Sequence, residues 1–349
     1  MDSILYSENL VKYPMEENKI KKSLRYSIYD GIAFAFMDGL TTSYLTPFAI
    51  ALNASIKVIA ALSYIPQLIG AFIQLFAARL VEIVKDRRKI LIVCSLLHSF
   101  LWLPLIFLPY LSPEKRYLLI VYVTLQTIIS DIIGPVGTSL IGDIVPKYER
   151  GRFFGKRNRI VGITSFIATL FAGLTLNYFS PKNLFVGFSI LFGLAFVARV
   201  FSALFKRGME NPLPDLQNAE RFSLFDFVKK MDKTNYGRFV IYITLYKFTV
   251  NIASPFFAVY MLKVLNFSYL QFTLITAIEI IASFIAMTIW GKLIDIKGTK
   301  LVLYISGILT PFVPLLWLFS TNYHYLLIVQ AFAGASWARD LQLRLEEGP

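Results

Sequence analysis

The chain has 349 residues, of which 56% are hydrophobic and 16% charged, against roughly 45–50% and about 25% in soluble domains. With 31 Phe and 19 Tyr it has too little polar surface to cover itself in water, which excludes an ordinary soluble domain and points to a bilayer. A formal net charge of +13 raises nucleic acid as a partner, but the basic residues alternate with apolar segments, so the reading is a lipid bilayer and no nucleic acid.

A span needs about 20 apolar residues. On that length the sequence predicts helices near 26–51, 56–81, 90–110, 117–144, 160–180 and 184–205. After a polar interval come helices near 238–262, 270–293, 301–320 and 324–338. Asn53, Ser112-Pro113, Ser180-Pro181, Asn266 and Thr321-Asn322 punctuate them as turns. Residues 1–25 read as a polar tail, 26–205 as one half, 206–237 as a linker, 238–338 as a second half and 339–349 as a charged end. The first apolar segment is too long for a signal-peptide core, so it reads as a retained span. Within the linker, Phe222, Leu224, Phe225, Val228 and Met231 fall near helical spacing, suiting either a helix on the cytoplasmic leaflet or a flexible connection.

The side that holds the N-terminus collects 26 Lys and Arg, and the other side only five, Lys57, Lys115, Arg116, Lys182 and Lys263. That asymmetry predicts a cytoplasmic N-terminus in a multi-pass protein of the cell membrane. Cys94 is the only cysteine, and His98 and His324 form no ligand motif, so neither a metal nor any other cofactor is called for.

The two halves repeat. Tyr117-Leu118-Leu119-Ile120-Val121 recurs 208 residues on as Tyr325-Leu326-Leu327-Ile328-Val329, and Thr46-Pro47-Phe48 recurs at the same interval as Ser254-Pro255-Phe256. A loop signal is doubled as well. Gly291-Lys292-Leu293-Ile294-Asp295 precedes Gly298-Thr299-Lys300, and Ala78-Arg79-Leu80-Val81-Glu82 precedes Lys85-Asp86-Arg87-Arg88-Lys89. A polytopic protein of two similar halves is most often a transporter.

With these residues the chain resembles the major facilitator superfamily, whose signature between helices two and three reads G-x-x-x-D-(R/K)-x-G-(R/K)-(R/K), with a weaker copy between helices eight and nine. Gly291, Asp295, Gly298 and Lys300 fall into the second copy. The first departs, with Ala78 for Gly, Glu82 for Asp and two extra residues before Arg88-Lys89. The loop from Pro146 to Gly155 is similar to the family's loop between helices four and five. The resemblance implies an all-α bundle of two six-helix repeats, here with about ten spans and the second repeat incomplete. It also implies transport of a small solute by alternating access, with protons as a candidate coupling ion. In the family these loops latch the halves, which makes Glu82 and Asp295 gate carboxylates with Arg150 and Arg152 as partners. The plainer alternative is that the basic residues only set topology.

Charges at membrane depth carry the second signal, because an ionised group facing lipid is costly. Asp38, Asp131, Lys247 and Glu279 lie within predicted spans. Shifted by 208, Asp38 lands beside Lys247, so a pair across the halves is expected, with Asp38 or Asp131 holding a proton or solute. The alternative is a structural ion pair. Tyr44, Gln126, Tyr246 and Asn251 are candidates for placed hydrogen bonds to the solute. Arg199 reads as snorkelling to the interface, and Asp30 and Asp143 draw little weight.

The end breaks the pattern. Residues 339–349 carry five charges, each costing roughly 2.5–3.5 kcal/mol within a span. This reads as a truncated or frameshifted second half. Rival readings are a membrane-embedded enzyme, for which no catalytic cluster is visible, and a non-transporting remnant or sensor on a transporter fold. No phosphate-binding loop of the ATPase type is present in the sequence.

Overall fold

The computed structural model describes residues 16–111, 115–212 and 233–346, together with 229 and 231. Individual side chains inside these stretches, among them those of Lys247, Asp295 and Lys300, lie outside the described residues. So do the Ser112-Pro113 turn and the linker around Phe222, Leu224 and Phe225.

Every described element is helical. The first half contains α1 (Glu17–Thr41), a 3-10 turn at Thr42–Tyr44, α2 (Leu45–Ala51), α3 (Ile56–Gln74) and α4 (Ala77–Val84). Then come α5 (Arg87–Phe100), α6 (Leu103–Phe107), α7 (Lys115–Ile144), α8 (Arg150–Phe179) and α9 (Leu184–Lys206). The second half contains α10 (Asn235–Val259), a π-helical turn at Tyr260–Val264, α11 (Tyr269–Lys297), α12 (Thr299–Leu309), α13 (Phe312–Leu316) and α14 (Tyr323–Glu346). Among the described residues seven helices are long and apolar enough to cross a membrane. Neither α1, which opens on charged turns and carries Asp30 and Asp38, nor α14, which runs on through Arg339 and Asp340, is among the seven.

Three helices run well past their sequence-based bounds. α1 begins at Glu17 rather than near 26, α8 begins at Arg150 rather than near 160, and α14 continues beyond 338. The extensions are rich in Arg, Lys, Leu or Glu, whose straight side chains lose little freedom in a helix. The helix therefore carries on where the apolar run stops.

The repeat is built into the backbone, but not at one interval. Asn53 and Asn266 both adopt left-handed conformations, with φ of 59° and 54°. Ser55 and Ser268 next cap α3 and α11, accepting bonds from the amides of Val58 and Gln271. These pairs stand 213 residues apart (266 − 53), while Pro47 and Pro255 stand 208 apart. The five additional residues fall between Pro255 and Asn266, where the π-helical turn accommodates the longer segment. The 213 interval also corrects the reading of the first loop. Lys85, φ 55°, stands where Gly298, φ 81°, stands in the second copy, so no residues are inserted before the basic run. Arg87 is then the counterpart of Lys300.

The halves meet through α8 against α11 and through α3 and α2 against α10. A Cβ on Gly173 would lie 1.9 Å from Thr273 Oγ1, so only glycine lets these two helices approach so closely. Tyr44, with no exposed surface, completes the joint. Its phenol donates to the Thr169 carbonyl on α8 at 2.7 Å and meets Thr273 Oγ1 on α11 at 2.8 Å.

Candidate solute-binding cavity

Between the halves lies a cavity of two lobes that share Thr42, Thr46, Ser254 and Pro255. Thr46 and Ser254-Pro255 are the landmarks that repeat in the sequence, so the repeat axis passes through the common wall. The first-half lobe measures about 540 Å³ and the second-half lobe about 790 Å³. Among the described residues no group of three His, Cys, Asp or Glu could hold a metal ion.

Four of the sequence candidates line the first lobe: Asp38, Asp131, Gln126 and Asn251. Asp38 accepts a hydrogen bond from the Thr42 hydroxyl at 2.7 Å. Asp131 is held by packing instead. The bare Cα of Gly70 on α3 faces it, and a Cβ there would come within 2.0 Å of Asp131 Oδ2. Among the described residues Gln126, 4% exposed, leaves Nε2 without a partner, as do His98 at Nδ1 and Trp102 at Nε1, both also lining this lobe. Sequence reasoning missed His98 and Trp102; their spacing of four residues within one apolar span was the available signal.

Tyr246 and Glu279 line the second lobe. Tyr246 meets Thr310 Oγ1 at 2.8 Å, and Gln330 Nε2 donates to Glu279 Oε2 at 2.5 Å. Tyr44 departs from expectation: it is sealed in the joint between the halves rather than in either lobe. Lys247 sits on α10, but its side chain is outside the described residues, and so is the expected pair with Asp38.

The segments that follow α4 and α9 cluster around a residue the sequence reading passed over. Arg87, 1% exposed, donates from Nη1 to Asp143 Oδ2 at 2.8 Å and to Ser139 Oγ at 2.9 Å, both on α7. Its Nη2 reaches the Pro212 carbonyl at 2.6 Å. Arg88 donates to the Met209 carbonyl at 3.0 Å, and Asn211 Nδ2 donates to Asp86 Oδ1 at 2.9 Å. Asp86 caps α5 by accepting from the Lys89 amide at 2.8 Å. The loop thus clamps α7 to the stretch that follows α9. Glu82 is exposed and, among the described residues, has no ion pair or hydrogen bond. Among the described residues Arg150 meets no gate carboxylate. It caps α7, donating to the carbonyls of Gly142 at 2.6 Å and Val145 at 3.4 Å, where the helix dipole favours a cation. Arg152 is exposed. Gly291 lies within α11, and Gly298 makes the turn between α11 and α12.

A second ionic group is buried between α1, α8 and α9. Arg199, 1% exposed, does not snorkel. It donates to Ser202 Oγ at 3.1 Å, and that hydroxyl donates to Asp30 Oδ1 at 2.6 Å. Lys206 pairs with the same carboxylate, and Arg157 donates to the Ser27 carbonyl at 3.4 Å. Arg199 also lies over the ring of Phe34, 5.0 Å from its centroid, and Phe34 lines the first lobe.

The sequence profile of the Major Facilitator Superfamily matches residues 31–338, and the chain belongs to that family. It is accordingly an integral, multi-pass membrane protein and a secondary transporter working by alternating access. No curated protein matches it by sequence. Solved structures share the fold at low identity. One is a point mutant of the nucleoside transporter NupG, with a TM-score of 0.66, 13% identity, and coverage of 90% of this chain and 80% of that one. Another is a D-xylose-proton symporter, with a TM-score of 0.64, 14% identity and coverage of 94% and 82%. A third is a bacterial homologue of the human lysosomal transporter Spinster, inward-facing and unoccupied, with a TM-score of 0.62, 13% identity and coverage of 95% and 76%.

Proposed function

We propose that the chain moves a small solute through the two-lobed cavity and couples that movement to protons, with the N-terminus on the cytoplasmic side of the cell membrane. The observation that carries this reading is the pair of carboxylates, Asp38 and Asp131, on a cavity centred on the repeated Thr46 and Ser254-Pro255 landmarks. A carboxylate at membrane depth is stable when protonated or paired, and a cavity open to alternate sides lets one proton exchange per cycle. Proton coupling in a D-xylose symporter of the same fold agrees with it. Arg87, Asp143 and Arg88 form the clamp on the cytoplasmic side, the role given by sequence to Glu82, Asp295 and the basic run.

The test is solute uptake into vesicles holding the purified chain, with and without an imposed pH gradient. Asp38→Asn and Asp131→Asn are expected to keep exchange of solute down its gradient and to lose accumulation driven by protons. Unchanged accumulation and pH dependence in both variants would sink the proton role.

A further inference from the structure

We infer that the second-half lobe takes a hydrophobic organic cation, with Glu279 as its counter-charge and Tyr242, Tyr246 and Trp337 as its aromatic wall. This rests on the reading that the cavity is the solute site.

The carboxylate of Glu279 enters a lobe lined by Leu245, Val250, Phe257 and Met261. Its hydrogen-bond partner is a neutral amide, Gln330, which occupies Oε2 and leaves Oε1 without a partner among the described residues. No Lys or Arg occurs among the described residues that line either lobe, while Asp38, Asp131 and Glu279 do. A charge at this depth favours a cation that arrives with the solute.

The wall beside it suits the same ligand. Tyr242 and Tyr246 stack with ring centroids 6.2 Å apart and planes at 22°, and Trp337 meets Tyr246 at 6.2 Å and 57°. Ring faces carry negative electrostatic potential, and three of them together form a surface for a delocalised or quaternary cation. A volume of about 790 Å³ admits a molecule of drug size. Three of the lobe's hydroxyls are already committed to the backbone. Thr249, Thr276 and Thr310 donate their hydroxyl hydrogens to carbonyls of their own helices, those of Leu245, Phe272 and Ser306. An anion would meet three carboxylates.

The test compares two ions of one shape and opposite charge, tetraphenylphosphonium and tetraphenylborate. Each is titrated calorimetrically into the full chain held in lipid nanodiscs, with empty nanodiscs as the blank. The phosphonium is expected to bind at least tenfold more tightly than the borate. Glu279→Gln should weaken phosphonium binding about tenfold and narrow that gap, and Trp337→Leu should weaken it about two- to fivefold. Equal binding of the two ions, which needs no variant to fold, overturns the inference. So does phosphonium binding unaltered in Glu279→Gln, or a neutral sugar that displaces the phosphonium at lower concentration than a competing cation does. Vesicle uptake separates this inference from the reading beneath it. Phosphonium binding that depends on Glu279, without movement of any solute, upholds the lobe's chemistry and overturns transport. Uptake of a neutral solute that the phosphonium fails to inhibit does the reverse.

Discussion

The two lobes occupy equivalent places in the two halves, yet they hold their charges differently. Beside the first lobe, Arg199 lies over the ring of Phe34 and continues through Ser202 to Asp30 and Lys206, so the first half contains cations together with a counter-charge. Glu279 is met by an amide alone among the described residues. On the 213-residue interval Glu279 falls where the first half has Pro66, a residue that lines the other lobe. Backbone features have survived the duplication, as the left-handed Asn53 and Asn266 show, while charges were placed separately in each half. An ion pair closed within its own half, such as Asp30 with Lys206, supports structure, and a carboxylate that faces a lobe without such a pair is available to a proton or to the solute.

The largest expected effect breaks this contrast directly. Asp30→Ala leaves Lys206, and Arg199 behind Ser202, buried without their carboxylate and should cost about 3–5 kcal/mol, read as a fall in the thermal midpoint. Glu279→Gln, which strips no described cation of its partner, should leave that midpoint unchanged or raise it. Equal losses would erase the distinction between the halves. A double-mutant cycle on Arg87→Met and Asp143→Asn should return a coupling of about 1–3 kcal/mol, and the same cycle with Asp131→Asn none beyond error. Gly70→Ala pushes a methyl group against Asp131 and should cost about 1–3 kcal/mol in denaturant unfolding, together with a change in the pH profile of uptake. A profile that stays fixed would separate Asp131 from coupling. The smallest effects compare the two loop copies. Lys85→Gly should stabilise by about 0.5–1 kcal/mol and Gly298→Ala should destabilise by about 1 kcal/mol or more, since both positions have positive φ.

Much of the architecture was legible in the sequence because a span announces itself by length and apolarity. Asp38, Asp131, Gln126 and Asn251 reached one lobe because a repeat places residues at equal depth. Depth does not specify direction around a helix. Tyr44 lies at the expected level and points into the joint between the halves. Arg199 was read from its closeness to a helix end, and its burial depends on Asp30, 169 residues away in sequence (199 − 30). Arg87 was passed over because the basic pair of the first loop was read as Arg88-Lys89, and Asp143 drew little weight because it lies near a helix end. The residues absorbed near Tyr260–Val264 shift the interval to 213, and on that count Arg87 aligns with Lys300 of the better-matched loop.

Tyr44 is bonded to both halves at once, and a point tied to two bodies is a fulcrum. When the halves rock, displacement should be least there and should grow with distance, as along a lever. Spin labels on Leu174 and Leu274, which flank that contact on α8 and α11, should therefore report one fixed separation. Labels on Tyr148, before the start of α8, and on Ile296, at the end of α11, both exposed, should report two. A single separation at both levels would mean that the halves do not pivot about this phenol.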